Sequence, residues 1–321
     1  MAARTARVRA LAKINLDLRV LGLRPDGYHE LRTVFQTVSL YDTVEIAFTP
    51  ARRTSIAVAS NVEIPGANIM ERAAELALEA MRAPGRVELR LTKRIPMGAG
   101  LGGGSSDAAA VLLALPVLAG KALALETLME AAAALGSDVP FFLLGGTAVA
   151  LGRGTELYPL PDRPPDFGLL VAPAIHVSTS EAYRDLDAVG LDAPRDLTSV
   201  ALQNMISSFQ SIVWEHGGTP SQRLGRNDFE TVVFARYPRL KALKRQLEML
   251  GATPAMLSGS GSALFGLFGG RREAGRAAGS FGKDEVFPVQ LVTRRGYRGL
   301  WWRQLGTHLK ERVWPPQSRY A

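Results

Sequence analysis

The sequence predicts a protein that mixes helices with strands and is divided into two domains. Several segments of the first half alternate apolar and polar residues with the period of two that is typical of strands. Other segments, in both halves, space their apolar residues as an amphipathic helix does. Residues 162–165 are polar and proline-rich, as linkers are, so we place the domain boundary near residue 160.

Composition narrows the class of protein further. The chain has 321 residues, enough for two domain cores, and its 47% hydrophobic and 21% charged shares are those of a soluble globular protein. It contains no cysteine, which excludes disulfides and thiolate metal sites, and its four histidines lack metal-ligand spacing. No apolar run is long enough to span a membrane. We therefore expect a cytoplasmic protein.

The chain begins with extended segments. Residues 16–20 alternate as a strand does, and Pro25-Asp26-Gly27 has strong turn chemistry. A second extended region covers residues 31–48, with a turn predicted at Asp42.

A helix follows, with Asn68 as its N-cap and Glu71 three residues later, and then a strand over residues 87–91. Residues 123–135 read as another helix that stops at Gly136. Asp138, two residues before Pro140, is predicted to cap a short helix.

The rest of the chain continues this mixture. After a buried strand at 148–151, the second half predicts a strand over 167–172 and a helix over 196–209. A long helix should begin near Asp228 and stop at Gly251. The small residues 256–262 then fit either a close approach to another part of the protein or a tight hairpin turn.

The most informative stretch is residues 96–110, PMGAGLGGGSSDAAA. Five glycines in one loop indicate positive φ angles or a backbone that approaches a ligand without Cβ atoms between them. Ser105, Ser106 and Asp107 should cap the helix that the alanines begin. A glycine loop that leads into a helix N-terminus binds anions, so we expect nucleotide phosphates here.

Two familiar phosphate loops fit this stretch poorly. The Walker pattern needs a lysine after the glycines, and none follows. A G-x-G-x-x-G spacing exists at Gly98, Gly100 and Gly103, but no strand that ends in an acidic residue follows about twenty residues later. The loop is therefore assigned to neither class.

The C-terminal segment 294–321 is strongly basic. It has seven lysines and arginines and one acid, Glu311, so it carries six of the eight net positive charges. Because Trp301, Trp302 and Trp314 lie among these charges, the segment either binds nucleic acid or an anionic surface, or packs on the domain. Packing is the reading we favour, because no nucleic-acid motif accompanies the charge.

The glycine loop resembles the phosphate loop of the galactokinase, homoserine, mevalonate and phosphomevalonate (GHMP) kinase superfamily. Five further motifs narrow the resemblance to the members that phosphorylate a cytidine diphosphate-linked methylerythritol in the non-mevalonate isoprenoid pathway. In chain order, these motifs are residues 12–16 (AKINL), 24–29 (RPDGYH), 136–142 (GSDVPFF), 227–230 (NDFE) and 256–261 (MLSGSG).

The resemblance implies the superfamily's two-domain α+β fold, with the active site in the cleft between the domains. Residues 1–160 would form the ATP-binding domain, 161–293 the C-terminal domain, and 294–321 a tail of unknown role. ATP and Mg²⁺ would be the cofactors, and the phosphoryl group would pass to the 2-hydroxyl of the erythritol moiety.

The resemblance also implies roles for individual residues. Lys13 and Asp138 would be the catalytic pair, and Asn15 would orient the acceptor. Tyr28, His29 and Tyr183 would hold the cytidine head. The ATP phosphates would be bound by Pro96, Met97, Gly98, Ala99, Gly100, Leu101, Gly102, Gly103, Gly104, Ser105 and Ser106. The rivals are a mevalonate or homoserine kinase of the same superfamily and a nucleotide-dependent nucleic-acid binder that uses the basic tail.

Overall fold

The structure is a computed structural model that describes residues 2–64, 66–162, 166–190 and 225–320. Helices and strands alternate around two separate sheets, which confirms the predicted α+β class. The helix expected over residues 196–209 lies outside the described residues. Among the helices of the described ranges, none is long and apolar enough to cross a membrane.

Two long strands organise the first sheet. β1 and β2 pair antiparallel from their far ends to the short connection between them, because both carry apolar residues with a strand period. The other edge of β2 is shared, since β4 pairs with residues 43–50 and β5 with residues 31–36. β3 and β6 complete the sheet at its two ends. The strands are β1 (Arg4–Leu23), β2 (His29–Pro50), β3 (Ser55–Ser60), β4 (Gly85–Thr92), β5 (Thr147–Gly152) and β6 (Glu156–Pro159).

Four helices cover one face of this sheet. The central one is buried on every side because its sequence is apolar all round, apart from its first turn. It packs against both long strands and against the other helices. The helices are α1 (Ile69–Met81), α2 (Gly103–Ala119), α3 (Leu125–Leu135) and α4 (Val139–Leu144).

The second half of the chain builds a smaller antiparallel sheet. Its strand order is β10, β7, β9, β8, with β7 (Phe167–Ala172), β8 (Ala255–Leu257), β9 (Leu264–Phe268) and β10 (Glu285–Gln290). The helices of this half, and the helix that follows it, are α5 (Thr179–Ala188), α6 (Phe229–Arg236), α7 (Pro238–Met249), α8 (Arg271–Ala278) and α9 (Arg294–Gln304).

The two sheets share a buried apolar cluster. Ile14 and Val34 of the first sheet belong to the same cluster as Leu170 and Phe265 of the second. Leu18 of β1 also forms a backbone bridge with Asn227, from the far half of the chain. The two halves of the chain therefore meet along the middle of β1, where residues of β1 contact both halves.

Several local predictions are confirmed by the structure. β7 spans the predicted residues, and Asn68 caps α1 by accepting a hydrogen bond from the Met70 amide at 2.9 Å. Helix α3 ends at Leu135 and Gly136 is its C-cap, as expected, but its backbone is extended and does not adopt the left-handed conformation that glycine C-caps favour. Strand β5 includes the predicted residues 148–151, all but one of them buried.

Two local predictions are wrong. Asp42 is not in a turn: it lies inside β2, fully buried. The long helix expected from Asp228 to Gly251 is two helices, α6 and α7, which separate at Tyr237. Pro238 explains the break, because proline has no amide hydrogen to donate and restricts the residue before it.

Candidate active site

The glycine loop adopts a backbone conformation that requires glycine. Gly98, Gly100 and Gly102 have φ angles of +65°, +76° and +69°, a region that other residues avoid. Gly102 is itself the N-cap of α2 and makes no side-chain capping bond. The expectation that Ser105, Ser106 and Asp107 cap the helix is therefore wrong, because α2 already begins at Gly103 and places them in its first turns. The amide groups of this helix start remain available to an anion.

A cavity of about 370 Å³ opens over this loop. The start of α1 lines it at Asn68 and Ile69, and Lys93 lines it as well. Ten of the eleven residues predicted to hold phosphates line the cavity, namely Pro96, Met97, Gly98, Ala99, Gly100, Leu101, Gly102, Gly103, Gly104 and Ser105. The remaining one, Ser106, is buried and does not line it.

The turn between β8 and β9 is hydrogen-bonded to the glycine loop. The Ser258 hydroxyl donates a hydrogen bond to the Gly100 carbonyl oxygen at 3.0 Å, and the Ala263 amide donates to the Ala99 carbonyl oxygen at 3.1 Å. A Cβ on Gly100 would lie only 2.0 Å from the Ser258 carbonyl oxygen. Residues 256–262 thus form a hairpin and a close approach at the same time.

The NDFE motif holds this turn in place. The Asn227 side-chain amide donates to the carbonyl oxygens of Leu257 and Gly259, at 2.9 and 2.7 Å. The Glu230 carboxylate accepts from the Leu257 amide at 2.9 Å. The NDFE motif therefore has a structural role, since it holds the turn on which the glycine loop packs.

A second cavity, of about 770 Å³, lies beside the first. Gly100 lines both cavities, so the two cavities share part of their wall. The candidate residues Lys13, Asn15, Tyr28, His29, Asp138 and Tyr183 all line this second cavity. The fold therefore brings together all six, although they come from positions 13 to 183 of the chain.

Lys13 and Asp138 form an ion pair at the wall that faces the glycine loop. The Lys13 ammonium lies 3.4 Å from Asp138 Oδ2, and its side chain is 4% exposed while that of Asp138 is 33% exposed. Asp138 occupies the N-cap position of α4, as predicted, but its carboxylate makes no capping bond. The carboxylate is therefore available to the cavity.

A hydrogen-bonded chain fixes the lysine. Its ammonium donates to Asn15 Oδ1 at 2.8 Å, and the Asn15 amide donates to the Thr33 hydroxyl at 2.8 Å. The Lys13 backbone amide also donates to the Leu101 carbonyl oxygen at 3.0 Å, which ties β1 to the glycine loop. A buried ammonium needs such partners, because removal from water disfavours its charge.

The far end of the second cavity is aromatic. The rings of His29 and Tyr183 stack with centroids 4.4 Å apart, and His29 Nε2 lies 2.8 Å from an Asp187 oxygen. Tyr28 is half exposed, and the Arg153 guanidinium lies 3.4 Å from its ring centre. Burial, together with the nearby charge of Asp138, raises the pKa of Tyr183, so its phenol stays protonated.

Sequence reasoning missed Arg153 and a buried charge cluster next to the glycine loop. In that cluster, the Lys93 ammonium lies 2.6 Å from Asp42 and 2.7 Å from Asp107. Asp42 also accepts hydrogen bonds from the Arg94 and Ile95 amides. Burial opposes the charge on Lys93, but the two aspartates raise its pKa. The only signal in the sequence was an acid, Asp42, within a strand-like pattern.

Asp107 should make stability depend on pH. Burial raises its pKa from 3.8 to about 8, and one of its carboxylate oxygens has no hydrogen-bond partner. The folded protein then keeps a proton on Asp107 that the unfolded chain releases near pH 4. Since the folded state binds more protons over that interval, stability falls as pH rises from about 4 to about 8.

We therefore expect Asp107→Asn to flatten this pH dependence. The amide mimics the protonated carboxyl, so the variant should match the parent near pH 4 and exceed it in stability at pH 8. Urea unfolding at a series of pH values measures this. Asp42→Asn is the contrast, since it removes a charged acceptor of two backbone amides and should destabilise the protein at pH 8. An Asp107→Asn variant less stable than the parent at pH 8 contradicts the expectation.

Known proteins with similar sequences and folds support the family that the glycine loop indicated. Residues 68–146 match the family model for the N-terminal domain of GHMP kinases, and residues 205–284 match the model for their C-terminal domain. A solved homoserine kinase from Cytophaga hutchinsonii, 18% identical, shares the fold with a TM-score of 0.69, covering 89% of this chain and 95% of its own. The class defined by this fold and loop is a small-molecule kinase of the GHMP type.

Nearer relatives narrow the class. A 4-diphosphocytidyl-2-C-methyl-D-erythritol kinase from Solibacter usitatus is 58% identical over 99% of this chain and 98% of its own length. The enzyme of the same name from Geobacillus kaustophilus is 37% identical over 90% and 97%. A crystal structure of 4-(cytidine 5'-diphospho)-2C-methyl-D-erythritol kinase, also 37% identical, has a TM-score of 0.72 and covers 89% and 98%. The chain belongs to this family of GHMP kinases.

Proposed function

We propose that the protein transfers the γ-phosphoryl group of ATP to the 2-hydroxyl of 4-diphosphocytidyl-2-C-methyl-D-erythritol, a step in isoprenoid precursor synthesis. One observation carries the proposal. The Lys13–Asp138 pair and Gly100 of the glycine loop line the same cavity, and Gly100 also lines the cavity over the loop. An acceptor hydroxyl at the pair and a phosphate on the loop would therefore be neighbours.

Phosphoryl transfer requires the protein mainly to position the two substrates and to neutralise charge. Phosphoryl transfer passes through a loose transition state, so catalysis comes mainly from positioning and from neutralising charge. In our proposal, Asp138 orients the 2-hydroxyl and takes its proton late, as the O–P bond forms and ADP leaves. Lys13 stabilises the Asp138 carboxylate and the transferring phosphoryl group, and Asn15 holds the lysine and the acceptor.

The nucleotide would bind over the glycine loop, with its phosphates on the backbone amides at the start of α2. We propose that Mg²⁺ enters with the ATP, because phosphate oxygens and water are ligands that it prefers. Among the described residues, no group of three or more acidic or histidine side chains could hold the ion alone. Residues 1–160 would form the ATP-binding domain and 161–293 the C-terminal domain.

The aromatic end of the second cavity suits the cytidine diphosphate. Tyr28 offers an exposed ring for a pyrimidine to stack on, while His29 and Tyr183 provide a polar edge and a wall. Arg153 adds a positive charge on this side, which would suit the diphosphate. The absence of a nucleic-acid partner and the cytoplasmic location stay predictions.

Tyr28→Ala should weaken binding of the cytidine-bearing substrate alone. Stacking of a base on an aromatic ring is worth about 1–3 kcal/mol, so KM for that substrate should rise by roughly five- to a hundredfold. KM for ATP should stay unchanged, because the tyrosine does not line the cavity over the loop. Steady-state kinetics with each substrate varied in turn give both constants. A change confined to ATP would reverse the assignment of the two cavities.

The function itself is tested by an acceptor panel. The purified protein, ATP and Mg²⁺ are incubated with the cytidyl-erythritol substrate, mevalonate or homoserine, and ADP formation is followed. We expect turnover with the first acceptor only. Phosphorylation of mevalonate or homoserine at a comparable rate would replace the proposed substrate. ADP formation with none of the three would point to the nucleotide-dependent nucleic-acid binder, which an electrophoretic shift with RNA and DNA then tests.

A further inference from the structure

The basic tail is packed into the protein. Helix α9 buries Tyr297 and Trp301 in the same apolar core as Phe141 and Phe142 of α4. Tyr297 is only 2% exposed and Trp301 only 1%. The ring of Trp314 packs against that of Tyr297, with centroids 6.3 Å apart. Two of the tryptophans that suggested a binding surface, Trp301 and Trp314, thus pack on the apolar core of the first sheet and its helices.

Tail side chains satisfy the last carbonyl groups of α4. A helix leaves its final carbonyls without partners inside the helix. Here the Tyr297 hydroxyl donates to the Phe142 carbonyl oxygen at 2.5 Å, and the Trp314 indole donates to the Leu143 carbonyl oxygen at 2.9 Å. Burial raises the pKa of Tyr297, so the phenol keeps the proton that it donates.

The glycines after α4 are shaped to this contact. A Cβ on Gly145 would lie 2.3 Å from the Tyr297 ring, and a Cβ on Gly146 would lie 2.7 Å from Arg294. Both glycines also have positive φ angles, +64° and +74°. Glycine at these two positions therefore leaves the space that the tail occupies.

The other end of α4 carries Asp138. The helix has six residues, a length of only about 9 Å, so a shift at its C-terminus is passed to its N-terminus with little damping. The tail also reaches the end of α2, where the Ser318 hydroxyl donates to the Val117 carbonyl oxygen at 2.7 Å. Helices α2 and α4, whose N-terminal ends border the cavities, are thus both contacted at their C-terminal ends by the tail.

We propose that Tyr297 and Trp314 are positioning residues, which hold α4 so that the Asp138 carboxylate stays within reach of Lys13 and the acceptor hydroxyl. The inference rests on the proposed function, since it takes Asp138 as the residue that handles the acceptor proton. It assigns the tail a part in turnover that does not depend on its charge. The exposed arginine and lysine side chains of the tail are not needed for it, namely those of Arg295, Arg303, Lys310, Arg312 and Arg319.

The test compares two tyrosines of the same tail. Tyr297→Phe removes one hydroxyl and keeps the buried ring, and Trp314→Phe removes the indole donor. The matched control is Tyr320→Phe, whose hydroxyl bonds His308 at 3.0 Å on the surface, away from α4. For the complete chain carrying each change, kcat, both KM values and the thermal unfolding midpoint are measured well below that midpoint.

We expect kcat to fall about three- to tenfold for Tyr297→Phe and for Trp314→Phe, as the loss of one hydrogen bond to α4 predicts. Both KM values should change less than about twofold, and Tyr320→Phe should keep the parent kcat. A lowered unfolding midpoint with unchanged kcat would show that the tail only stabilises the fold and would overturn the proposal. Equal losses of kcat in Tyr320→Phe would overturn it too.

A double variant separates this inference from the proposed function. In an Asp138→Asn background, Tyr297→Phe should cause no further loss of the residual kcat, because its effect passes through the carboxylate. An additional three- to tenfold loss there would mean that the tail acts elsewhere. Were Asp138→Asn alone to keep full turnover, the catalytic assignment would fail, whatever the tail variants show.

Discussion

Asp138→Asn should lower kcat by about a hundredfold to ten-thousandfold, the range expected when a general base is removed. The amide keeps the shape of the carboxylate, but it cannot take the acceptor proton, and it ends the ion pair with Lys13. KM for ATP should change little, since Asp138 does not line the cavity over the glycine loop. Initial rates over a range of both substrates measure these constants.

A matched acid on the same side of the protein controls for charge. Asp185 of α5 is an exposed carboxylate that pairs with Arg236 at 2.9 Å and does not line either cavity. Asp185→Asn should keep the parent kcat. If Asp138→Asn also kept it, the carboxylate would have no part in the chemistry, and the proposed mechanism would lose its base.

Gly100→Ala should damage both the fold and ATP binding. The added methyl group would lie 2.0 Å from the Ser258 carbonyl oxygen, and a φ angle of +76° is unfavourable for alanine. Strain and overpacking together predict a loss of about 2–5 kcal/mol in the free energy of unfolding. Any relief must separate the loop from the β8–β9 turn, so KM for ATP should rise about tenfold or more.

Urea unfolding and ATP titration check this prediction. Gly251→Ala is the control, because Gly251 has a φ angle of +91° with open space where the Cβ would lie. It carries the backbone strain without the clash, so its loss of stability should be only about 1–2 kcal/mol, with KM for ATP unchanged. Equal effects of the two changes would show that the contact with Ser258 is unimportant.

Local patterns predicted many elements because short-range physics decides them. Asn68 caps α1 since its side chain reaches an amide two residues away, and Gly136 ends α3 directly after its last residue. The prediction of one long helix was wrong for a local reason as well. Pro238 breaks the helix, although the apolar spacing continues past it.

The site was predicted in part from the residues and in part from the resemblance. The glycine cluster indicated a phosphate loop by composition alone. The aspartates of the charge cluster could not be found this way, because their partner, Lys93, is 51 residues from one and 14 from the other. Arg153 was missed for a similar reason, since only the fold brings it over Tyr28.

The sequence by itself determined the mixed fold class, most elements of the described chain, the glycine loop and the family. The tertiary structure decided that Gly100 borders both cavities, that Lys13 meets Asp138, and that the tail closes the end of α4. The residues that start and end helices and turns act over a few positions, so the neighbouring sequence contains them. Contacts between distant residues depend on how sheets and helices pack, because burial rewards the whole arrangement and no single segment specifies it.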